Sequence, residues 1–338
     1  MISSPGGNGG TACMYIREKA MALLETGDTV SGEQLAKELG VSRNAVWKVM
    51  KRLREDGYEI EAVTNRGYRL VSAPDILSEA GIRKWLKTRE LGRELEIHDR
   101  LDSTNNRAKT LAAAGAKQGT VIIADSQSGG RGRQGRSFFS PDHSGVYLTI
   151  ILRPDCAPDQ AGLLTSLAAV ATARAVEKTA NVKADIKWVN DLYISGRKIC
   201  GILCEAGLGM EAGKLEYAVA GIGVNTARMQ FPPELQEIAT SIGNECGEAP
   251  ERNRLIAEIL NETEALLGDL KTGRFLEESR RRSNVIGRTV TVIEGDKRYP
   301  AKAVDIDDQG RLVIETPEGR TCLNYGEVSL KLTEKDDK

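Results

Sequence analysis

The spacing of apolar residues changes character twice along the chain, and each change falls at a turn signal. Up to about Arg54 the spacing is helical: Ile16, Ala20, Leu23 and Leu24, then Leu35, Ala36 and Leu39, then Ala45, Val46, Val49, Met50 and Leu53. Residues 58–63 and 67–71 alternate instead, as a hairpin does. Ser72-Ala73-Pro74-Asp75 closes this region, because proline restricts the residue before it and breaks a helix. From about Ile76 to Val285 strand and helix patterns mix. After Ile286-Gly287 short alternating runs (289–293, 301–306, 312–315, 322–323, 328–330) are separated by turns at Gly295-Asp296, 307–310 and 317–319, which predicts a small β-barrel. A chain of 338 residues exceeds what one core usually supports. The reading is a multidomain α+β protein with a disordered tail over 1–13, an N-terminal module over 14–73, a mixed region over 76–285 and a β module over 286–338.

Charge and composition narrow the function. Lys+Arg (47) and Asp+Glu (48) cancel to −1, which excludes a globally basic nucleic-acid coat but not a local basic patch. His98 and His143 are the only histidines, so a multi-histidine zinc site is not expected, and no metal-ligating set is assigned. Cys13, Cys156, Cys200, Cys204, Cys246 and Cys322 form no CxxC pair and read as buried free thiols in a reducing compartment. The start MISSPGGNGG lacks a signal pattern, and the best apolar run, 163–176, is broken by polar residues and reads as a core helix. A cytoplasmic protein without a membrane partner is expected.

The N-terminal module reads as a helix-turn-helix. Ser31 caps the helix 32–39, Gly40 ends it, and Ser42 caps the next. That second helix carries Arg43, Lys48, Lys51, Arg52 and Arg54 with no acidic residue. Ser42, Arg43, Asn44, Trp47, Lys48 and Lys51 are the candidate DNA contacts, with Arg66 at the tip of the following hairpin, which makes the module winged. A solvated basic face in a protein–protein module is the alternative. One reading helix per module implies a dimer on a two-fold operator.

Four stretches of the central region stand out. Asp102-Ser103-Thr104-Asn105 precedes a helix and on its own is an N-cap. In the stretch 127–136, QSGGRGRQGR, Arg131, Arg133 and Arg136 alternate with glycines and no acidic side chain intervenes before Pro141. Glycines permit close backbone approach and arginines make fork-shaped contacts to phosphate or carboxylate, so a loop closing on an anionic ligand is expected, against an RGG-like RNA-binding segment. KWVNDLY (187–193) followed by GRKICGILCE (196–205) reads as a hairpin whose second strand begins at Lys198 and ends at Glu205. GIGVN (221–225) is a glycine-interrupted strand end of the kind that marks close approach.

In that order, DSTN, GRGRQGR, KWVNDLY with GRKICGILCE, and GIGVN resemble the biotin–protein ligase family. With the winged module in front, the chain resembles its bifunctional branch, which is both ligase and biotin operon repressor. The resemblance covers nearly everything from Met14 onward. It implies an SH2-like mixed α/β catalytic domain, an SH3-like C-terminal barrel, and a two-step reaction. Biotin is adenylated by Mg-ATP, with Mg2+ as the nucleotide's counter-ion. A lysine of the biotin carboxyl carrier protein subunit of acetyl-CoA carboxylase then takes the biotinyl group. Such chemistry needs no histidine-based centre. By motif position, Ser103, Thr104, Asn105, Gln127, Arg131, Gly132, Arg133 and Lys198 resemble the biotin-binding set. Arg133, Arg136, Phe138, Asn190 and Lys198 resemble the nucleotide-binding set, and Arg131, Arg133, Lys198 and Asp191 the catalytic groups. Val189 stands where the family usually has proline, and Ser137-Phe138 where it usually has a polar–tryptophan pair. A lipoate ligase or transferase of related fold, and a non-enzymatic biotin-sensing repressor, are the alternatives.

Overall fold

The structure is a computed structural model describing residues 9–24, 28–55, 58–63, 66–72, 75–154, 161–208, 215–294, 297–324 and 327–329. Expectations at 1–8, Thr64-Asn65, Ala73-Pro74, Cys156 and Gly295-Asp296 lie outside them. The chain divides into two compact units, 1–76 and 77–338.

In the first unit α1 (Gly9–Leu24) begins earlier than expected, so residues 9–13, assigned to a tail, are helical. α2 (Gly32–Leu39) is capped by Ser31, whose Oγ accepts from Gln34 N at 3.0 Å. Gly40 ends it with φ 66, a left-handed conformation that costs a residue with Cβ about 1–2 kcal/mol. This turn sets the direction of α3 (Arg43–Glu55). Ala20, Leu24, Leu35, Val46, Met50 and Leu53 close a small core under the hairpin of β1 (Glu59–Val63) and β2 (Gly67–Ser72).

The second unit continues with α4 (Glu79–Arg83), β3 (Leu95–Leu101), α5 (Thr104–Ala113), β4 (Val121–Gln127), β5 (Gly145–Leu152), α6 (Ala161–Ala180), β6 (Asp185–Lys187), β7 (Asp191–Ile194), β8 (Arg197–Leu208) and β9 (Leu215–Asn225). α7 (Ile242–Cys246), α8 (Arg252–Leu267) and α9 (Phe275–Arg282) follow. Its seven-stranded sheet runs β3-β4-β5-β9-β8-β7-β6, with only β3 and β4 parallel. Strand alternation divides the side chains between two layers. Val121, Ile123, Val146, Leu148 and Ile150 join the main core with α6 and α8, while Ile122, Ile151 and Val219 meet Ala108 and Ala112 of α5. β5 is buried along its whole length, as a central strand covered on both faces must be.

β10 (Thr289–Glu294), β11 (Lys297–Ile306), β12 (Leu312–Thr316), β13 (Gly319–Leu323) and β14 (Glu327–Ser329) form a five-stranded antiparallel sheet in the order β13-β12-β11-β10-β14. Its Val290, Val292, Ala303 and Ile314 belong to the same core as α6 and α8, and the buried Trp188 donates Nε1–H to Gly310 O at 2.9 Å. Among the described residues no helix is long and apolar enough to cross a membrane. The thiols depart from expectation: Cys200 is buried, and its pKa is raised by that burial, but Cys246 and Cys322 are exposed.

Candidate active site and nucleic-acid-binding face

The α5 face of the sheet is cleared by glycine. Gly201 pairs with Gly223, which pairs with Tyr147, and Leu203 pairs with Gly221, which pairs with Thr149. Two rungs of floor therefore carry three glycines. The Phe138 ring lies over the first rung: a Cβ at Gly223 would sit 2.6 Å from its Cε1, and one at Gly201 would sit 3.1 Å from its Cε2. Tyr147 meets that ring edge-on, with centroids 6.4 Å apart and planes at 72°. Burial pushes the Tyr147 hydroxyl up to about 12, against a hydrogen bond with Ser144.

The second rung carries Asn105. Its Nδ2 donates to Leu203 O at 3.1 Å and to Glu205 Oε2 at 2.9 Å, and Thr149 Oγ1 lies 2.7 Å from its Oδ1. Thr104 donates both N–H (2.9 Å) and hydroxyl (3.1 Å) to Gln127 Oε1, and Gln127 Nε2 donates to Ser140 Oγ at 3.0 Å. Ser103 holds the N-cap position of α5, but its side chain makes no capping bond. The N-cap reading thus fits its backbone and not its hydroxyl. Ser103, Thr104, Asn105, Gln127, Arg131, Phe138 and the three glycines line one cleft.

The other side of Phe138 has a different chemistry. Gly132, Arg133, Arg136, Phe138, Lys187, Asn190, Asp191 and Lys198 line a cavity of about 110 Å³. Arg133 Nη1 donates to Asn190 Oδ1 at 3.2 Å, and Asn190 Nδ2 to Ile202 O at 3.1 Å. Lys198 Nζ is 2.7 Å from Asp191 Oδ1. The Lys198 backbone at the start of β8 is held between Ile238 O (3.0 Å) and Thr240 N (2.8 Å). The Trp188–Val189 peptide is cis. A larger cavity of about 710 Å³, lined by Leu163, Cys204, Gly310 and Arg311 among others, meets this site through Arg133.

The four sequence stretches thus converge around one aromatic ring. Every expected ligand-contact residue lines one or both clefts, Asp191 included. Glu205 was read only as a strand end, and Thr149 and Lys187 were not singled out. Each had a signal. Glu205 shares strand parity with Gly201, Thr149 is the one aliphatic hydroxyl in the buried run GVYLTIIL, and Lys187 opens the quoted KWVND. Glu205 binds Lys109 Nζ at 2.9 Å and Arg131 Nη1 at 3.2 Å. Burial opposes its charge, but the bonds from Asn105 and Lys109 outweigh it and hold the carboxyl below the usual range. The histidines sit on carboxylates instead, His98 on Glu96 (2.6 Å) and His143 on Asp125 (2.8 Å). Among the described residues no group of three or more His, Cys, Asp or Glu is placed to hold a metal ion.

In the first unit Ser42, just before α3, and Arg43, Asn44, Trp47, Lys48 and Lys51 on it are all exposed, with Trp47 54% accessible and Lys51 Nζ 5.8 Å from its ring centroid. Asn44, Lys48 and Lys51 stand at helical spacing on one side. Arg43 pairs with Glu33 at 2.8 Å across exposed surface. Arg54 instead braces the hairpin, donating Nε–H to Ile60 O at 2.9 Å. Arg66 is exposed just before β2.

Comparison with known proteins agrees in each region. Residues 97–225 match the Biotin/lipoate A/B protein ligase family, 17–69 an HTH domain, and 285–331 the Biotin protein ligase C terminal domain. The chain is 41% identical over 308 residues to the bifunctional ligase/repressor BirA of Bacillus subtilis, covering 89% of this chain and 94% of that protein. It is 33% identical over 321 residues to the Escherichia coli protein of the same name, covering 94% and 98%. The solved biotin protein ligase from Aquifex aeolicus, in complex with biotin and ATP, is 27% identical with a TM-score of 0.60, covering 71% of this chain and 99% of that one.

Proposed function

The chain belongs to the family of bifunctional biotin ligase/repressors, and from that premise we propose what its residues do. It is an ATP-dependent biotin–protein ligase and a helix-turn-helix repressor. The observation that carries the assignment of roles is the pair of clefts sharing Phe138, one lined by neutral hydrogen-bonding side chains with Arg131 as its single charged group, the other rich in cations (Arg133, Arg136, Lys187 and Lys198). A neutral ureido ring suits the first and phosphates suit the second.

In this reading Ser103, Thr104, Asn105 and Gln127 hold the ureido ring. Biotin's carboxylate oxygen attacks the α-phosphorus of Mg-ATP, the bridging P–O bond breaks, and diphosphate leaves. Lys198 and Arg133 face the charge that builds on the phosphoryl oxygens, Arg131 and Gly132 close the loop, and Arg136, Phe138 and Asn190 line the nucleotide side. Mg2+ arrives with the nucleotide. The carrier lysine's amine then attacks the acyl carbon, the anhydride C–O bond breaks, and AMP leaves. Asp191 places Lys198. The nucleophile in each step belongs to a substrate, so the protein's contribution is placement and preorganised charge.

The acceptor is a biotin carboxyl carrier protein subunit of acetyl-CoA carboxylase, and the central and C-terminal regions take the SH2-like and SH3-like classes. The exposed face of α3 enters the major groove of a biotin operator, with Arg66 on the flanking backbone, and the cytoplasmic protein binds as a homodimer. Biotin-dependent ATP–pyrophosphate exchange tests the catalytic reading. Exchange with lipoate but not biotin, or no exchange at all, overturns it. The regulatory reading expects operator affinity to rise when biotin and ATP are both present, by about 5- to 150-fold. Equal affinity with and without them overturns that.

A further inference from the structure

We infer that Thr149 and Glu205 are positioning residues that fix which end of the Asn105 carboxamide faces the ligand, making the Asn105 cleft selective for a ring that donates N–H hydrogen bonds. The inference rests on the reading that this cleft takes biotin's ureido ring.

A carboxamide is nearly symmetric in shape but opposite in hydrogen-bonding sense at its two ends, with two donors on nitrogen and two lone pairs on oxygen. Both groups at one end of Asn105, Leu203 O and the Glu205 carboxylate, can only accept, so the nitrogen must lie there and both its hydrogens are used. Turned over, the amide would set its oxygen against a carbonyl and a carboxylate. Its oxygen therefore lies over Gly221, where a Cβ would sit 1.9 Å away. Thr149, fully buried in β5, completes the arrangement. Its single hydroxyl hydrogen has two neighbours, Asn105 Oδ1 at 2.7 Å and Thr104 Oγ1 at 2.9 Å. Thr104 sends its own hydrogen to Gln127, so both neighbours of Thr149 accept, and the nearer is the carboxamide oxygen of Asn105, the stronger acceptor of the two. One lone pair of Asn105 Oδ1 is left for a ligand, and only a donor can use it.

Neither Thr149 nor Glu205 lines the cleft, so each acts through Asn105. Glu205 is itself anchored by Lys109 and Arg131, which also ties the glycine–arginine loop to the same carboxylate. A site built to meet a ring N–H rejects a ring that lacks it, because the buried acceptor is left unpaired.

The test is biotin-dependent ATP–pyrophosphate exchange by the full chain, varying biotin and ATP separately, for the wild type, Thr149→Val, Thr149→Ser and Glu205→Gln. Thr149→Val should raise KM for biotin roughly three- to tenfold, the worth of one hydrogen bond, with kcat and KM for ATP within about twofold of wild type. Thr149→Ser, which keeps the hydroxyl, should restore it. Glu205→Gln offers Asn105 a donor as well as an acceptor and should shift KM for biotin in the same direction. Discrimination against a cyclic carbamate analogue, with ring oxygen in place of one N–H, should fall alongside. No exchange by the wild type overturns the biotin reading and this inference with it. Wild-type exchange with KM for biotin unchanged in both Thr149→Val and Glu205→Gln overturns the positioning role alone. So does a Thr149→Val variant in which kcat and both KM values worsen together. If Thr149→Val does not fold, Glu205→Gln decides.

Discussion

Replacing Gly223 by alanine should disable the site while leaving the fold intact. Gly223 lies in extended backbone that alanine accepts, near the C-terminal end of β9. The new Cβ would lie 2.6 Å from Phe138 Cε1, 2.9 Å from Cζ and 3.0 Å from Cδ1, against a comfortable carbon–carbon separation of about 3.5–4.0 Å. The ring must move by about 1 Å. It cannot slide along the floor, because Tyr147 stands at its edge and the Gly201 backbone is already close beneath it. It lifts instead and carries the loop with it, since Phe138 N–H donates to Gly130 O at 2.9 Å and Phe138 O accepts from Ser140, which is tied to Gln127. A displacement of about 1 Å at the reacting groups costs on the order of 100-fold in rate, or about 2.7 kcal/mol of barrier. Stability should change little, because glycine-to-alanine in compatible backbone favours folding by roughly 0.4–1 kcal/mol and offsets the repacking. Pyrophosphate exchange and a thermal melt measure the two quantities. Gly268→Ala, where a Cβ meets nothing within 4 Å, is the control. A Gly223→Ala enzyme with kcat/KM within threefold of wild type would refute the reasoning, as would a loss of activity accompanied by a fall of roughly 10 °C in Tm.

The other expectations concern loop, DNA face, core and pH. Arg133→Gly removes the contact to Asn190 Oδ1 and one phosphate partner, so adenylate should escape and biotinylate bystander lysines, visible by blotting; retention equal to wild type would reject the assigned role. Lys48→Ala and Lys51→Ala should each lower the salt slope of operator binding by about one, with sequence preference kept, and an unchanged slope would place α3 elsewhere. Arg252 is fully buried against Asp125 at 2.5 Å and Gly145 O at 3.2 Å. Arg252→Ala leaves Asp125 only its contacts with the exposed His143 and should cost about 3–5 kcal/mol, roughly 10 °C in Tm, and a smaller shift would mean that those contacts suffice for the carboxylate. At Glu278 burial opposes the charge, but Arg174 (2.5 Å) and Arg282 (2.7 Å) hold the carboxyl below its ordinary 4.5. A folded pKa lower than the unfolded one gives stability that is complete above about pH 4.5 and lost as pH falls through the lowered value. Tm should decline on that acid side, and Glu278→Gln should flatten the decline; an identical acid limb would show that other groups set it.

How far the sequence could be read depends on whether the deciding contact is local. The turn at Gly40, the cap at Ser31 and the hairpin 58–71 are each set within a few residues, and they form where the pattern puts them. The start of α1 was misplaced because a glycine-rich entry carries no cap signal. The order of the seven-stranded sheet was not legible, since β5 pairs with β9 across the whole of α6 and the β6–β8 hairpins. The motif residues were legible as types. Their grouping needed that order, which sets Thr149 beside Gly221 and Leu203 and so brings Asn105, Thr149 and Glu205 to one amide. Ser103 shows the converse. Its local signal was sound for the backbone, yet its side chain makes no capping bond and the residue lines the cleft.

The cations of the site are engaged before any phosphate reaches them. Lys198 sits on Asp191, Arg131 on Glu205 and Arg133 on Asn190. These contacts hold long side chains in one arrangement, which saves the side-chain entropy of ordering them when the ligand binds. On the proposed roles, a phosphate reaching Lys198 or Arg131 exchanges partners with a carboxylate rather than adding a new attraction, so the ground-state gain is small. The gain grows as charge accumulates on the phosphoryl oxygens, because a fixed carboxylate cannot match it. An arrangement of that kind favours the transition state over the bound substrates, which is the condition for raising kcat rather than merely lowering KM. Removing Asp191 should therefore tighten ATP binding while slowing exchange, and an Asp191→Asn enzyme in which both improve together would show that the carboxylate only competes.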